Sequence, residues 1–240
     1  MKSPAINNRR TSEVLLSVVF GLAIVLLAAR AGNTQQLQKG ISVQMAQTTT
    51  AAPVPDADNN DAWIVSVTAD GSLYFGVDPL TPTELTDKMI RTPRRRDQNV
   101  YIKADARAPF AAVRTVLTTA HEIGFAAPVL LTSQSQPSAP GHMVPPNGLA
   151  MLVDPALPAG SVATVVQLLS SGQQGSRLQI NGDDVSWSVL ESTLRQHFQK
   201  GDEKVVLLKA DGQLPFAHIA QVIDTCHLLG AKVMISTPEL

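Results

Sequence analysis

Few side chains in this sequence could carry chemistry. His121 and His227 stand at matching positions of two similar segments, where imidazoles could ligate a metal or sit charged at a helix end. A zinc-type site takes three or four protein ligands at close spacing. No third or fourth ligand accompanies either histidine, so both read as helix C-terminal residues favoured by the macrodipole. Arg91, Arg94, Arg95 and Arg96 form a basic loop that suits an anionic headgroup or an acidic partner. The loop lacks the interleaved aromatics of a nucleic-acid platform, and a solvated turn is the better reading. Asp105 and Asp211 each follow an apolar strand and precede a helix, which marks them as capping or turn acids and not a catalytic pair. The single cysteine, Cys226, excludes an internal disulfide and a cysteine-based metal cluster. It replaces Ala120 of the other segment and reads as a small core residue. Serines, histidines and aspartates are scattered, without a G-x-S-x-G elbow, a phosphate-binding loop or an H-E-x-x-H pair. Neither an enzyme nor a bound cofactor or metal is expected.

The elements around these residues are unevenly distributed over 240 residues, whose 19 Lys+Arg and 20 Asp+Glu leave a net charge of -1. That balance provides no overall field for nucleic acid. Val14 to Ala29 reads VLLSVVFGLAIVLLAA, uncharged throughout and bounded by Glu13 and Arg30. A spanning helix needs about 17 to 25 residues, so residues 14–32 make a short span if Arg30 snorkels to the headgroups. Lys2, Arg9 and Arg10 then keep residues 1–13 in the cytoplasm and export the chain beyond residue 32. The competing reading is a cleaved signal peptide, with Ala29-Arg30-Ala31 as the cleavage site. Both readings place the C-terminal part of the chain outside the cytoplasm.

Residues 46–61 (AQTTTAAPVPDADNND) show no apolar periodicity and read as a loop or flexible spacer. Residues 133–148 (SQSQPSAPGHMVPPNG) are a second, Pro-rich spacer without Lys, Arg, Asp or Glu. The chain also repeats itself: YIKADARAPFAAVRTVLTTAHEIG (101–124) aligns without a gap on LLKADGQLPFAHIAQVIDTCHLLG (207–230). Upstream, LYFGVDPLTPTEL (73–85) aligns on LQINGDDVSWSVL (178–190), and Gly40 on Gly148; downstream, PVLLT aligns on VMIST. Two diverged modules of about 90 residues therefore occupy 40–132 and 149–240.

Within the first module, Trp63 to Thr68 is β-rich, Asp70-Gly71 signals a two-residue hairpin, and Leu73 to Phe75 returns. Thr81-Pro82-Thr83-Glu84 is a capping box opening a helix to about Ile90. Val100 to Ala104 reads as a strand. Pro109 opens a second helix, with Phe110, Val113, Leu117 and Ala120 on one face and Gly124 ending it. Val129 to Thr132 closes the module. The expected architecture is α+β, two tandem β-β-α-β-α-β domains with helices on one face of a mixed sheet. Cores this small favour pairing between copies or self-association with another chain.

In order and spacing these elements resemble the periplasmic domain of the ExbD/TolR biopolymer-transport proteins. The features are the hairpin from Val65 to Leu73, the capped helix with Glu84-Leu85, Lys103-Ala104-Asp105, and the helix leading to Gly124. Lys209-Ala210-Asp211, Phe216 and Gly230 repeat the pattern behind a hairpin lengthened to SSGQQGS (170–176). The resemblance implies a single-pass inner-membrane subunit with periplasmic C-terminal domains. It further implies an ExbB/TolQ-like polytopic partner, a TonB/TolA-like energiser, and proton-driven transport across the envelope. Members carry an aspartate in the membrane helix, whose burial couples protonation to movement. Here that position falls on Glu13, preceded by Arg9, Arg10, Thr11 and Ser12. Glu13 is therefore the candidate proton carrier, and an interfacial carboxylate beside Arg9 or Arg10 is the plainer alternative. The rival function is a periplasmic binding or scaffold module that recognises peptidoglycan or an energiser by strand addition, without proton coupling.

Overall fold

A computed structural model describes residues 39–95, 98–125, 127–134, 146–154, 163–172, 175–199 and 204–237. The tail 1–13, the anchor 14–32 and Glu13 lie outside the described residues. Among those described, no helix is long and apolar enough to cross a membrane.

The first module builds strands β1 (Ala52–Pro53), β2 (Trp63–Val67), β3 (Leu73–Phe75), β4 (Asp78–Leu80), β5 (Val100–Ala104), β6 (Val129–Thr132) and β7 (Asn147–Ala150). They form one sheet in the order β1-β7-β6-β5-β2-β3-β4. Helix α1 (Pro82–Arg91) precedes β5, and helix α2 (Phe110–Glu122) follows it. The capping box forms as the sequence requires: the Thr81 N–H donates to Glu84 Oε2 at 2.8 Å, and the Glu84 N–H donates to Thr81 Oγ1 at 3.3 Å.

The second module supplies β8 (Leu152–Val153), β9 (Thr164–Ser170), β10 (Ser176–Ile180), β11 (Asp183–Val185), β12 (Val205–Ala210) and β13 (Lys232–Ile235), with α3 (Leu190–Phe198) and α4 (Phe216–Leu228). Its sheet order is β11-β10-β9-β12-β13-β8. Both sheets are mixed: β2, β5 and β6 run parallel, as do β9, β12, β13 and β8, and each sheet ends in antiparallel hairpins. Register confirms the repeat. Tyr101 pairs with Val129 and Ile102 with Leu130, while their counterparts Leu207 and Leu208 pair with Met234 and Ile235.

Each module adds a strand after its hairpin that the expected order lacks, β4 and β11, and the short strands β1, β7 and β8 are additional to it as well. Gly76 alone has positive φ in the loop joining β3 to β4, whereas Asn181 (φ 52) and Gly182 (φ 94) both do in the loop joining β10 to β11. Two consecutive left-handed residues define the turn that matches strand twist, which is why Asn-Gly serves there. The loop at Asp70-Gly71 is longer than two residues. The Gly71 N–H donates to Thr68 O and the Thr68 N–H to Ser72 O, so Gly71 (φ 87) ends a three-residue loop.

Residues 46–61 are also not a free spacer. Ala46, Ala51 and Ala57 are buried, β1 pairs with β7, and Pro55–Asp58 forms a 3-10 turn over the outer face of the sheet. There Ala57 joins Ile64, Tyr101, Val129 and Leu131 in a second small core. Short side chains pack closely without any helix or strand period, so sequence pattern does not reveal them. Inner-face residues of both sheets, with Phe110, Leu117, Phe216 and Ile219 of the helices, form one continuous core. The chain crosses between sheets at Met151: Ala150 ends β7 in the first sheet, and Leu152 opens β8 in the second. Gly148 is required at this crossing, because a Cβ there would lie 2.4 Å from Val129 Cγ1.

Candidate functional site

The repeat becomes a pseudo-two-fold contact where α2 and α4 begin. Pro109 and Pro215 precede these helices and have no side-chain oxygen to cap them, leaving helix N–H groups in need of acceptors. Each module caps the other. The Phe110 N–H donates to Leu214 O, the Phe216 N–H to Ala108 O, the Ala111 N–H to Gly212 O and the Ala217 N–H to Ala106 O, all at 2.8 Å. The first two bonds exchange places under the repeat, as do the last two. Pro109 and Pro215 form an antiparallel bridge at the centre. A buried, unpaired backbone donor costs about 1–3 kcal/mol, so separating the modules would expose or orphan four of them.

A second tie lacks this symmetry. The Asp224 carboxylate on α4 accepts from the N–H groups of Thr49 at 2.9 Å and Thr50 at 2.8 Å, and from both threonine hydroxyls. Burial pushes this carboxyl up, but the threonine hydrogen bonds outweigh it and hold Asp224 below the usual aspartate range.

Lys103 occupies the outer face of the first sheet, opposite Ser66 in the register, and is buried. Its Nζ donates to Lys39 O at 3.3 Å, where the described chain begins. Burial lowers its pKa and the charge of Asp58 opposes the shift. Lys39 Nζ donates to Asn59 O at 2.6 Å and to Asn60 O. These lysines thus fasten the start of the described chain to the sheet. The motif Lys-Ala-Asp carries no hint that the lysine is buried; strand alternation, which puts Lys103 on the same face as Tyr101, is the available signal.

Asp105, a turn acid by sequence, is buried and accepts from Arg107 Nε at 2.8 Å, Arg107 Nη2 at 3.0 Å, the Arg107 N–H at 3.0 Å and the Gln44 N–H at 3.1 Å. These hydrogen bonds, led by the Arg107 side chain, lower its pKa to about 2. Asp211 accepts the Gln213 N–H at 3.0 Å, the same turn geometry in the second module. Both are turn acids. His227 departs from the macrodipole reading: burial lowers its pKa, with Asp224 and the Ala150 backbone opposing. His121 is half-buried, with an unpartnered Nδ1. Among the described residues no group of three or more His, Cys, Asp or Glu could hold a metal. Cys226 lies in the core, where burial pushes its thiol up to about 12. Of the basic loop, Arg91 pairs with Asp87 at 3.9 Å, Arg95 pairs with Asp61 at 3.0 Å and Arg94 stacks 4.7 Å over Phe125. Arg96 and Glu13 lie outside the described residues.

The outer edges are blunted. Phe75 pairs with Asp78 at the closing position of a two-residue hairpin, so the next pair, Tyr74 and Pro79, turns its backbone groups outward. Pro79 has no N–H to offer there. Pro53 stands on the opposite edge of the same sheet, and β11 carries Asp183 and Asp184.

Two modules of this order, capped on each other, match a known family twice along the chain. The sequence profile described as Biopolymer transport protein ExbD/TolR matches residues 15–135 and 144–239. The chain belongs to the ExbD/TolR family; the first matched stretch begins within the apolar run, and the second takes in Asn147–Ala150, the strand that joins the first sheet. No curated protein and no solved structure matches it.

Proposed function

We propose that the chain is a single-pass inner-membrane subunit of a proton-driven complex that supports protein or biopolymer transport across the envelope. Its N-terminus lies in the cytoplasm and its two modules in the periplasm. It works beside a polytopic ExbB/TolQ-like protein and passes work to a TonB/TolA-like energiser; it performs no enzymatic step. The observation that carries this reading is the family match over both modules, beginning at residue 15 within the apolar run. Glu13 is the coupling carboxylate on this reading. Taking a carboxylate from water into a membrane makes its charged form costly and so favours proton uptake.

One feature favours a second reading, a periplasmic scaffold without proton coupling: Val14 to Ala29 contains no acid at all. Strand addition is the weaker route for such a scaffold, since Pro53 and Pro79 blunt both edges of the first sheet. The two readings separate on Glu13→Gln. If Glu13 couples, the variant still co-purifies with the polytopic partner and loses transport. If transport persists, the scaffold reading stands. Failure of the wild-type chain to co-purify with such a partner in mild detergent would remove the complex altogether.

A further inference from the structure

The two modules differ at one groove, and the difference indicates what the groove accepts. In the first module a cleft of about 620 Å³ runs between the β3–β4 hairpin and the start of α2, lined by Tyr74, Leu80, Pro82, Pro109 and Ala112. The repeat places Trp187 where Pro82 stands and His218 where Ala112 stands. In the second module these two rings pack together, with centroids 5.6 Å apart and planes 52° from parallel. The corresponding pocket there is lined only from the hairpin side through to Trp187, and no residue of α4 lines it. A pocket of about 500 Å³ remains on the hairpin side there, so the indole and imidazole of the second module occupy only the end of the groove that the first leaves open against its second helix.

Charge changes with the filling. Asp70 and Glu84 line the open groove, and no lysine, arginine or histidine does. Hydrogen bonds from Thr68 and Ser72 hold Asp70 below the ordinary carboxylate range, and bonds from Thr81 do the same for Glu84, so both are anionic at neutral pH. In the second module Val189 replaces Glu84, and Arg177 replaces Ser72 at the pocket wall. A groove that reaches the second helix and an uncompensated acidic lining thus occur together in the first copy, whereas in the second the pocket stops at Trp187 and its one acid, Asp184, pairs with Arg177 at 2.7 Å.

We propose that the first module's groove is a docking site for a peptide segment of a protein partner, inserting an aromatic side chain where Trp187 sits in the second module and placing a flanking lysine or arginine against Asp70 and Glu84. Aromatic rings supply large apolar contact at low conformational cost, and the carboxylates favour a basic neighbour and raise the encounter rate. The site does not depend on Glu13, so it can fail while the coupling role stands, and the reverse.

The test is fluorescence anisotropy of a labelled Gly-Lys-Trp-Lys-Gly probe with the full chain in detergent. The expected result is saturable binding. It weakens by about tenfold or more, some 1.4 kcal/mol, when alanine replaces the probe tryptophan or glutamate replaces its lysines. Pro82→Trp with Ala112→His, which transplants the internal plug, abolishes binding. Asp70→Asn with Glu84→Gln keeps a capping-box side chain at position 84 and weakens binding about tenfold. It also removes most of the salt dependence, and it decides the matter if the plugged variant does not fold. No binding, equal binding of the alanine probe, or unchanged binding by the plugged or neutralised variants overturns the proposal. So does displacement of the probe by soluble glycan-strand fragments, which would make the groove a sugar site, or by a second copy of the chain.

Discussion

Pro109 and Pro215 face each other across an antiparallel bridge, and each holds the position that the repeat assigns to the other. An isologous contact of this kind is what two identical subunits form about a two-fold axis. Here the two halves lie in one polypeptide, so the pairing has no concentration dependence and the halves can diverge. One module has an acidic groove that reaches its second helix, and in the other Trp187 and His218 pack together across that end of the groove.

Asp105 anchors the turn that leads to this contact. Asp105→Asn should lower unfolding free energy at pH 7 by about 1.5–3 kcal/mol, the range for hydrogen bonds to a charged group. The sign of the pH dependence follows from a folded pKa of about 2 against an ordinary 3.8. The carboxylate's contribution is complete above about pH 4 and is lost as pH falls toward 2. Urea unfolding of wild type and variant should therefore converge across that interval. A gap that stays constant to pH 2 would show that Asp105 does not act through its charge.

Asp224 holds the segment over the first sheet to the second module. Asp224→Ala should release it locally. In hydrogen exchange the Thr49 and Thr50 amides, which donate to this carboxylate, should lose protection. The amides of β9 and β12 should keep theirs. Protection at Thr49 and Thr50 equal to wild type would mean that Asp224 does not secure the segment.

Much of the module was readable from sequence because local chemistry and tertiary packing agree. The capping box at Thr81 and Glu84, the strand from Val100 to Ala104 and the Phe110, Val113, Leu117 and Ala120 face all lie where pattern places them. Asn181-Gly182 is the hairpin signal that marks β11. β4 was hidden by Pro79, which a strand tolerates only with its nitrogen turned to the edge. The pairing of modules leaves no side-chain signature. Ala106, Ala108, Gly212 and Leu214 accept through backbone carbonyls, and any residue supplies those. The open groove shows only by comparing copies, since Pro82 and Ala112 gain meaning beside Trp187 and His218.

The most direct test of the paired-module account is a cross-link at its axis. Cα atoms directly opposed in an antiparallel pair lie about 4.5–5.5 Å apart, inside the window of about 4.4–6.8 Å that a disulfide needs. Cys226 is buried, with its thiol pushed up to about 12, and should not compete. Pro109→Cys with Pro215→Cys, oxidised in the full-length chain in membranes, should give a cystine joining the two positions within one polypeptide. Mass spectrometry of proteolytic fragments reads the link, and a non-reducing gel should show no covalent dimer. A disulfide-linked dimer, or two free thiols in a folded chain, would contradict the internal pairing.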